Sequence, residues 1–157
     1  MPKASIALAL VAALCARAHA AAPSERDFLD RIRAHARLGE SEKLRSLAAE
    51  FYRAYPKSDS VAEVRLYAAD AEEAPEEAIR QYRILLEKYR YFKDRDRAAL
   101  GICRTLYLLA RWGELEAESA RVLGLFPKSE HTAGFLLYRA KALIHLERFE
   151  EALEGLR

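Results

Sequence analysis

Phe126-Pro127-Lys128-Ser129-Glu130 is the second copy of a sequence motif, because Tyr55-Pro56-Lys57-Ser58-Asp59 has the same order of residue types. The two prolines lie 71 residues apart (127 − 56). The residues that follow also correspond, since Leu66-Tyr67-Ala68-Ala69 is matched by Leu137-Tyr138-Arg139-Ala140. Self-similarity at a fixed spacing is the sequence signature of repeat architectures. It predicts stacked copies of one structural unit, and by itself it names neither a partner nor a reaction.

The composition is typical of an all-α protein. Alanine, leucine, glutamate and arginine dominate, whereas valine, isoleucine and threonine are sparse. Hydrophobic residues make up 52% of the chain, which is enough for a packed core. Glycine and proline are few, and no segment is of low complexity, so we expect one folded domain built from helices.

Residues 1–20 have the features of a secretory signal peptide. Lys3 provides a positive charge, residues 4–16 form an apolar run, and Ala18-His19-Ala20 places small residues at a cleavage site. The apolar run is shorter than the roughly 20 residues of a membrane-spanning helix. We therefore expect an exported protein, periplasmic or associated with the outer membrane, whose helical repeat domain covers residues 21–157. The alternative is an N-terminal helix that resembles a signal peptide.

The two cysteines raise separate questions. Ala12-Ala13-Leu14-Cys15 partly resembles a bacterial lipobox, although Leu14 is larger than the residue that usually precedes the lipidated cysteine, so lipidation of Cys15 is an alternative to cleavage after Ala20. After that cleavage Cys103 would be an odd cysteine in an oxidising compartment, where such a residue pairs between chains or is buried. We expect Cys103 to be a small buried residue.

The charges and the polar residues give no sign of nucleic-acid binding or of catalysis. Without Lys3 and Arg17 the chain has 24 basic residues (26 − 2) and 24 acidic ones, so we expect no nucleic-acid partner. The four histidines are scattered, and no glycine-rich phosphate loop, serine elbow or cysteine pair is present. We therefore expect no enzyme, no cofactor and no metal site.

Hydrophobic periodicity and local stop signals predict eight helices with short connections. Ser24 and Asp27 approximate a capping box, Ser58 or Ser60 is placed to cap the third helix, and Pro75 suits the first turn of the fourth. Neighbours joined by short connections pack as antiparallel hairpins. The expected helices cover residues 24–38, 40–55, 58–73, from 75, 94–110, 113–125, 129–146 and from 149.

These hairpins resemble the tetratricopeptide repeat. That pattern has small residues at one position of each helix, aromatic residues around them, and a proline after the second helix. Matching residues recur every 37 positions (140 − 103), slightly more than the family's roughly 34. Residues that match are Ala78, Tyr82, Cys103, Trp112, Pro127, Ala140, Phe149 and Ala152, and residues that depart are Leu66, Arg90 and Leu115. The resemblance implies a right-handed solenoid over residues 24–157, with its last repeat incomplete.

In its longer repeat period and its aromatic-Pro-x-Ser motif, the chain most resembles exported bacterial members of this family. Those include outer-membrane assembly lipoproteins of the BamD type and the TolA-binding cell-envelope coordinator. The resemblance implies a scaffold that binds a protein or peptide in the cell envelope. Two alternatives stay open: a structural part of an envelope assembly, anchored through Cys15, and the non-catalytic N-terminal part of a larger envelope enzyme, since the chain stops before its last helix is complete.

In such repeats the first helix of each pair lines a concave groove, which implies a set of binding residues. Aromatic side chains anchor a peptide or a partner helix, and arginine binds carboxylates. The residues expected to make these contacts are Tyr67, Asp70, Arg97, Arg104, Tyr107 and Lys141. The same register adds Glu63, Leu100, Leu137 and Ile144. The alternative for each is an ordinary solvated or inter-repeat position. Because the chain has no asparagine, we do not expect the chaperone-tail clamp of some family members.

Overall fold

A computed structural model describes residues 23–155, so the predicted signal peptide, its cleavage site and Cys15 lie outside the described residues. Within that range the chain forms helices and turns and no strand, which confirms the prediction of an all-α fold. The helices are α1 Glu25–Leu38, α2 Ser41–Ala54, α3 Val61–Asp70, α4 Pro75–Lys88, α5 Arg95–Leu108, α6 Trp112–Leu125, α7 Thr132–His145 and α8 Phe149–Glu154.

The first helix begins and ends at the residues that the sequence indicated. Ser24 Oγ accepts a hydrogen bond from the backbone N–H of Asp27, and the Asp27 carboxylate accepts one from the backbone N–H of Ser24, at 3.2 and 3.1 Å. This reciprocal pair is the predicted capping box, and it satisfies two backbone donors at the start of α1. Gly39 ends the helix in the left-handed region, with φ +68°.

The repeated sequence motif forms the same turn in both of its copies. Ser58 Oγ accepts from the backbone N–H of Ser60, and Ser129 Oγ accepts from that of His131, both at 2.9 Å. Each serine hydroxyl also donates to a carboxylate near the start of the odd-numbered helix two helices earlier in the chain. The distances are 2.6 Å from Ser58 to Glu25 and 2.6 Å from Ser129 to Asp96.

These turns explain why α3 and α7 begin later than expected. The sequence predicted helix from residues 58 and 129, whereas the helices begin at Val61 and Thr132. Neither Ser58 nor Ser60 caps α3, because the Ser60 side chain makes no cap hydrogen bond and both hydroxyls donate to Glu25. The serine therefore connects two odd-numbered helices instead of starting one.

A left-handed residue follows the last turn of three odd-numbered helices, and this is a second repeated feature of the chain. Ala110 after α5 and Glu147 after α7 lie in the left-handed region, with φ of 54° and 61°, at positions that correspond to Gly39 after α1. The next backbone N–H in each case turns back into the helix. The Arg111 N–H reaches the Leu106 carbonyl at 3.0 Å, and the Arg148 N–H reaches the Leu143 carbonyl at 2.9 Å. This geometry is a Schellman-type helix end.

Each helix packs against the next one along the chain, and the odd-numbered helices also contact one another. Arg33 of α1 binds Glu63 of α3 through two hydrogen bonds of 2.8 and 3.0 Å. α5 contacts α7 directly, and it approaches α3 through the side chain of Arg97, which donates to Asp70. These contacts place residues from several odd-numbered helices next to one another.

The buried side chains form two clusters that share α3. The first lies between α1, α2 and α3, with Ile32 and Phe51 fully buried in it. The second extends from α3 to α7 around Tyr82, Ile102 and Leu106. The interior of the second cluster is tight, because a Cβ added to Gly101 would lie 2.5 Å from the Tyr82 ring.

Candidate functional site

The six residues selected from the sequence fall into two adjoining groups. Tyr67, Asp70, Arg97 and Arg104 meet between α3 and α5, and the group is centred on the Asp70 carboxylate. The other two residues meet between α5 and α7, where Lys141 lies over the ring of Tyr107. Each group therefore depends on the contact between two odd-numbered helices.

Asp70 accepts hydrogen bonds from two different helices. The Tyr82 hydroxyl of α4 donates to Asp70 Oδ1 at 2.7 Å, and Arg97 of α5 donates to Oδ2. The guanidinium of Arg104 lies 3.6 Å from Asp70 and 3.4 Å from the Tyr82 hydroxyl. The carboxylate thus binds Arg97 directly and lies beside Arg104, which keeps about half of its side chain exposed (53%).

The environment of Tyr82 keeps its phenol in the donor form. Burial raises the pKa of the Tyr82 phenol far above its ordinary value, and the neighbouring Asp70 carboxylate raises it further. The phenol therefore stays protonated and donates to Asp70 throughout the physiological pH range. The sequence indicated Tyr82 only as a residue that matches the repeat pattern, and its contact with Asp70 requires the crossing of α3 and α4, which periodicity does not reveal.

The second group is a cation set against aromatic rings. Lys141 Nζ lies 4.5 Å from the centroid of the Tyr107 ring and 5.8 Å from that of Tyr138, within the range of cation–π attraction. The two tyrosine rings are 5.7 Å apart. Trp112, at the start of α6, lies 5.6 Å from Tyr107 and stacks on His145 with ring centroids 3.9 Å apart. These rings give the surface a defined shape.

The two groups meet on what we call the α5–α7 surface, defined by Leu100, Arg104, Tyr107, Tyr138 and Lys141. An open cavity of about 400 Å³ lies there. Its lining consists of Asp70, Arg97, Leu100, Gly101, Arg104, His131 and Tyr138. Leu137 and Ile144 flank the surface with half of their side chains exposed (50% each).

A larger cavity, of about 450 Å³, lies next to the first group, and the sequence did not predict it. Residues from the end of α1 and the start of α2 form one side of it, including Arg33, Arg37 and Leu44. Tyr67 and Arg97 form the other side. The left-handed Gly39 between α1 and α2 marks this corner, but no sequence pattern shows that the end of α3 approaches it.

Cys103 is fully buried and unpaired, as predicted. Burial raises the pKa of its thiol to about 12, so it is a neutral core side chain at physiological pH. Within residues 23–155, no group of three or more His, Cys, Asp or Glu side chains is arranged to hold a metal ion.

None of the helices in the described part of the chain is both long and apolar enough to span a membrane. Comparison of the chain with protein-family models, with curated proteins and with solved structures found no match.

Proposed function

We propose that this chain is an exported, non-catalytic scaffold that binds a peptide or a helix of a protein partner in the cell envelope. The partner would lie along the odd-numbered helices, which would form the concave groove of a right-handed tetratricopeptide-like solenoid. The observation that carries this proposal is the convergence of aromatic and cationic side chains from α3, α5 and α7 around Asp70 and Lys141, with Leu100 beside them in the cavity.

The arrangement of these side chains supports binding more than it supports a purely structural role. Arg104, in the α5–α7 surface, and Leu137, which flanks it, each keep about half of their surface exposed. The tyrosine rings beside them are only partly buried. Aromatic residues and arginine contribute most strongly to protein interfaces, because they offer large contact areas and directed hydrogen bonds. Hydrogen bonds and ring contacts fix several of the residues in advance, which lowers the entropy cost of association.

The cellular location is part of the proposal and comes from the sequence alone. Residues 1–20 have a charged start, an apolar run and a small-residue cleavage site. Those features support export to the periplasm or to the outer membrane.

A capture experiment tests the proposal with a matched control. Residues 21–157 would be immobilised and incubated with cell-envelope extract, and the retained proteins identified by mass spectrometry. The test variant carries Arg104→Ala and Tyr107→Ala. The control variant carries Arg80→Ala and Tyr91→Ala, the same residue types at exposed positions of α4 and the loop after it.

We expect one dominant partner that the control variant retains and the test variant loses by at least about tenfold, which corresponds to about 1.4 kcal/mol. Circular dichroism of both variants would verify that the helices are intact, since Tyr107 also contacts Trp112. Equal retention by a folded test variant would show that the α5–α7 surface does not bind the partner.

A further inference from the structure

Charge is unevenly distributed among the last four helices, although the chain as a whole is nearly balanced. Asp96 is the one acidic residue within α5 and α7. The Arg and Lys residues of these two helices are Arg95, Arg97, Arg104, Arg139 and Lys141. The even-numbered helices have the opposite pattern, with Arg121 as the one basic residue of α6 and α8. Their acidic residues are Glu114, Glu116, Glu118, Glu150, Glu151 and Glu154.

Two carboxylates near the α5–α7 surface, those of Asp96 and Asp70, already have partners within the chain. Asp96 accepts from the Ser129 hydroxyl at 2.6 Å and from the backbone N–H of Arg97 at 2.9 Å. Asp70 accepts from Tyr82 and Arg97. Their hydrogen-bonding capacity is therefore largely used, and they neutralise only part of the positive charge around them.

Two cations remain available to a partner. Arg104 lies at the edge of ion-pair distance from Asp70, at 3.6 Å, with about half of its side chain exposed. Among the described residues, no carboxylate lies within ion-pair distance of Lys141, whose ammonium rests on the tyrosine rings. A guanidinium and an ammonium held in place in this way are suited to bind carboxylates.

Aliphatic side chains alternate with these cations. Leu137, Lys141 and Ile144 occupy positions i, i+4 and i+7 of α7, which share one face of a helix. Both aliphatic residues are half exposed, and the side chain of Leu100 packs onto Gly134 beside them. A partner that covers this face must offer apolar groups as well as negative charge.

We infer that the occupant of the α5–α7 surface is a partner segment in which aspartate or glutamate residues alternate with aliphatic ones. This inference rests on the proposed function and specifies the chemistry of the partner. The carboxylates of the segment bind Arg104 and Lys141, and its aliphatic side chains cover Leu137 and Ile144. A nucleic acid would satisfy the cations but would leave both aliphatic side chains without apolar contacts.

Synthetic peptides of opposite charge test the inference directly. One fluorescein-labelled peptide has leucine at every third or fourth position and glutamate elsewhere, and the matched peptide has lysine in place of every glutamate. A single-stranded oligodeoxythymidine serves as the nucleic-acid probe. Fluorescence anisotropy measures the binding of each probe to residues 21–157. Emission from Trp112, the single tryptophan of the chain, reports binding next to Tyr107.

We expect the glutamate peptide to bind at least about tenfold more tightly than the lysine peptide and the oligonucleotide. The double variant Arg104→Glu with Lys141→Glu should reverse the preference between the two peptides. The control variant Arg80→Glu with Lys88→Glu, on the exposed side of α4, should leave it unchanged. If the reversed variant does not fold, Arg104→Gln with Lys141→Gln should reduce binding of the glutamate peptide by about tenfold.

Several results would overturn the inference. These are equal affinity for both peptides, tighter binding of the oligonucleotide, no binding of the glutamate peptide, or binding that the Arg104 and Lys141 changes do not affect. The proposed function has its own test, because a captured partner that depends on Arg104 and Tyr107 but lacks an acidic, aliphatic segment would support the scaffold and refute this partner chemistry.

Discussion

The carboxylate of Glu25 connects the start of α1 to the turn before α3. Its Oε1 atom accepts from the Ser58 hydroxyl at 2.6 Å and from the Ser60 hydroxyl at 2.9 Å. These hydrogen bonds stabilise the charged form, so they lower the pKa of Glu25 below its ordinary value of 4.5. A carboxylate whose pKa is lower in the folded state adds stability above its unfolded pKa and loses it as the pH falls through the folded value.

The double variant Ser58→Ala with Ser60→Ala tests this connection. We expect the pKa of Glu25 to rise toward 4.5, as measured by NMR titration of its side chain. We also expect the variant to be less stable than the parent at pH 7, with a smaller difference at pH values below the folded pKa of Glu25. Urea denaturation at pH 7, and at a series of lower pH values that passes through the pKa found by NMR, measures both differences. A stability difference that does not change with pH would mean that Glu25 is not the group involved.

Ala110 ends α5 in a conformation that costs energy for a residue with a Cβ atom. Its φ of 54° lies in the left-handed region, where an L-residue other than glycine loses roughly 1–2 kcal/mol. At the corresponding end of α1 the chain uses Gly39, which has no such strain. The end of α5 therefore has an alanine in a backbone conformation that favours glycine.

Replacing Ala110 with glycine should relieve that strain. We expect Ala110→Gly to raise the free energy of unfolding by roughly 0.5–1 kcal/mol, because the relief exceeds the added entropy of the unfolded chain. Ala117→Gly, at an exposed position inside α6, is the matched control and should lower it by about 1 kcal/mol. Thermal and urea denaturation measure both changes. A loss of stability in Ala110→Gly would contradict the assigned backbone conformation.

Within residues 23–155 the sequence predicted the eight helices in their observed order, from hydrophobic periodicity and local stop signals. The sequence predicted the starts of α3 and α7 three residues too early, since the serines of the two Pro-x-Ser motifs donate to carboxylates on other helices. The same limit applies to the candidate site. Repeat register located Asp70 and Arg97, but Tyr82 reaches them only through the way α3 and α4 cross.

At the scale of the whole molecule, α3 is the element that belongs to both hydrophobic clusters. Val64 is buried with α1 and α2, and Leu66 is buried with α4 and α5. In arrays of repeated units each unit contacts mainly its neighbours, so local damage propagates through such shared elements.

Ile32→Ala should show how far damage travels. Ile32 is fully buried in the first cluster, and truncating such a residue typically costs about 2–5 kcal/mol. We expect faster hydrogen exchange throughout α1 and α2, a smaller increase in α3, and little change in α6 and α7. Leu106→Ala, in the second cluster, is the reciprocal control and should show the opposite distribution. A uniform increase along the chain would mean that the two clusters unfold as one unit.

The buried thiol of Cys103 can report how often the second cluster opens. It has no exposed surface, and its thiol pKa is raised to about 12, so an alkylating reagent in neutral solution reacts with it only after the surrounding helices separate. In a chain with Cys15 replaced by serine, the rate of alkylation therefore measures how often those helices separate. A ligand that holds α5 and α7 together would lower this rate without touching the sulfur atom.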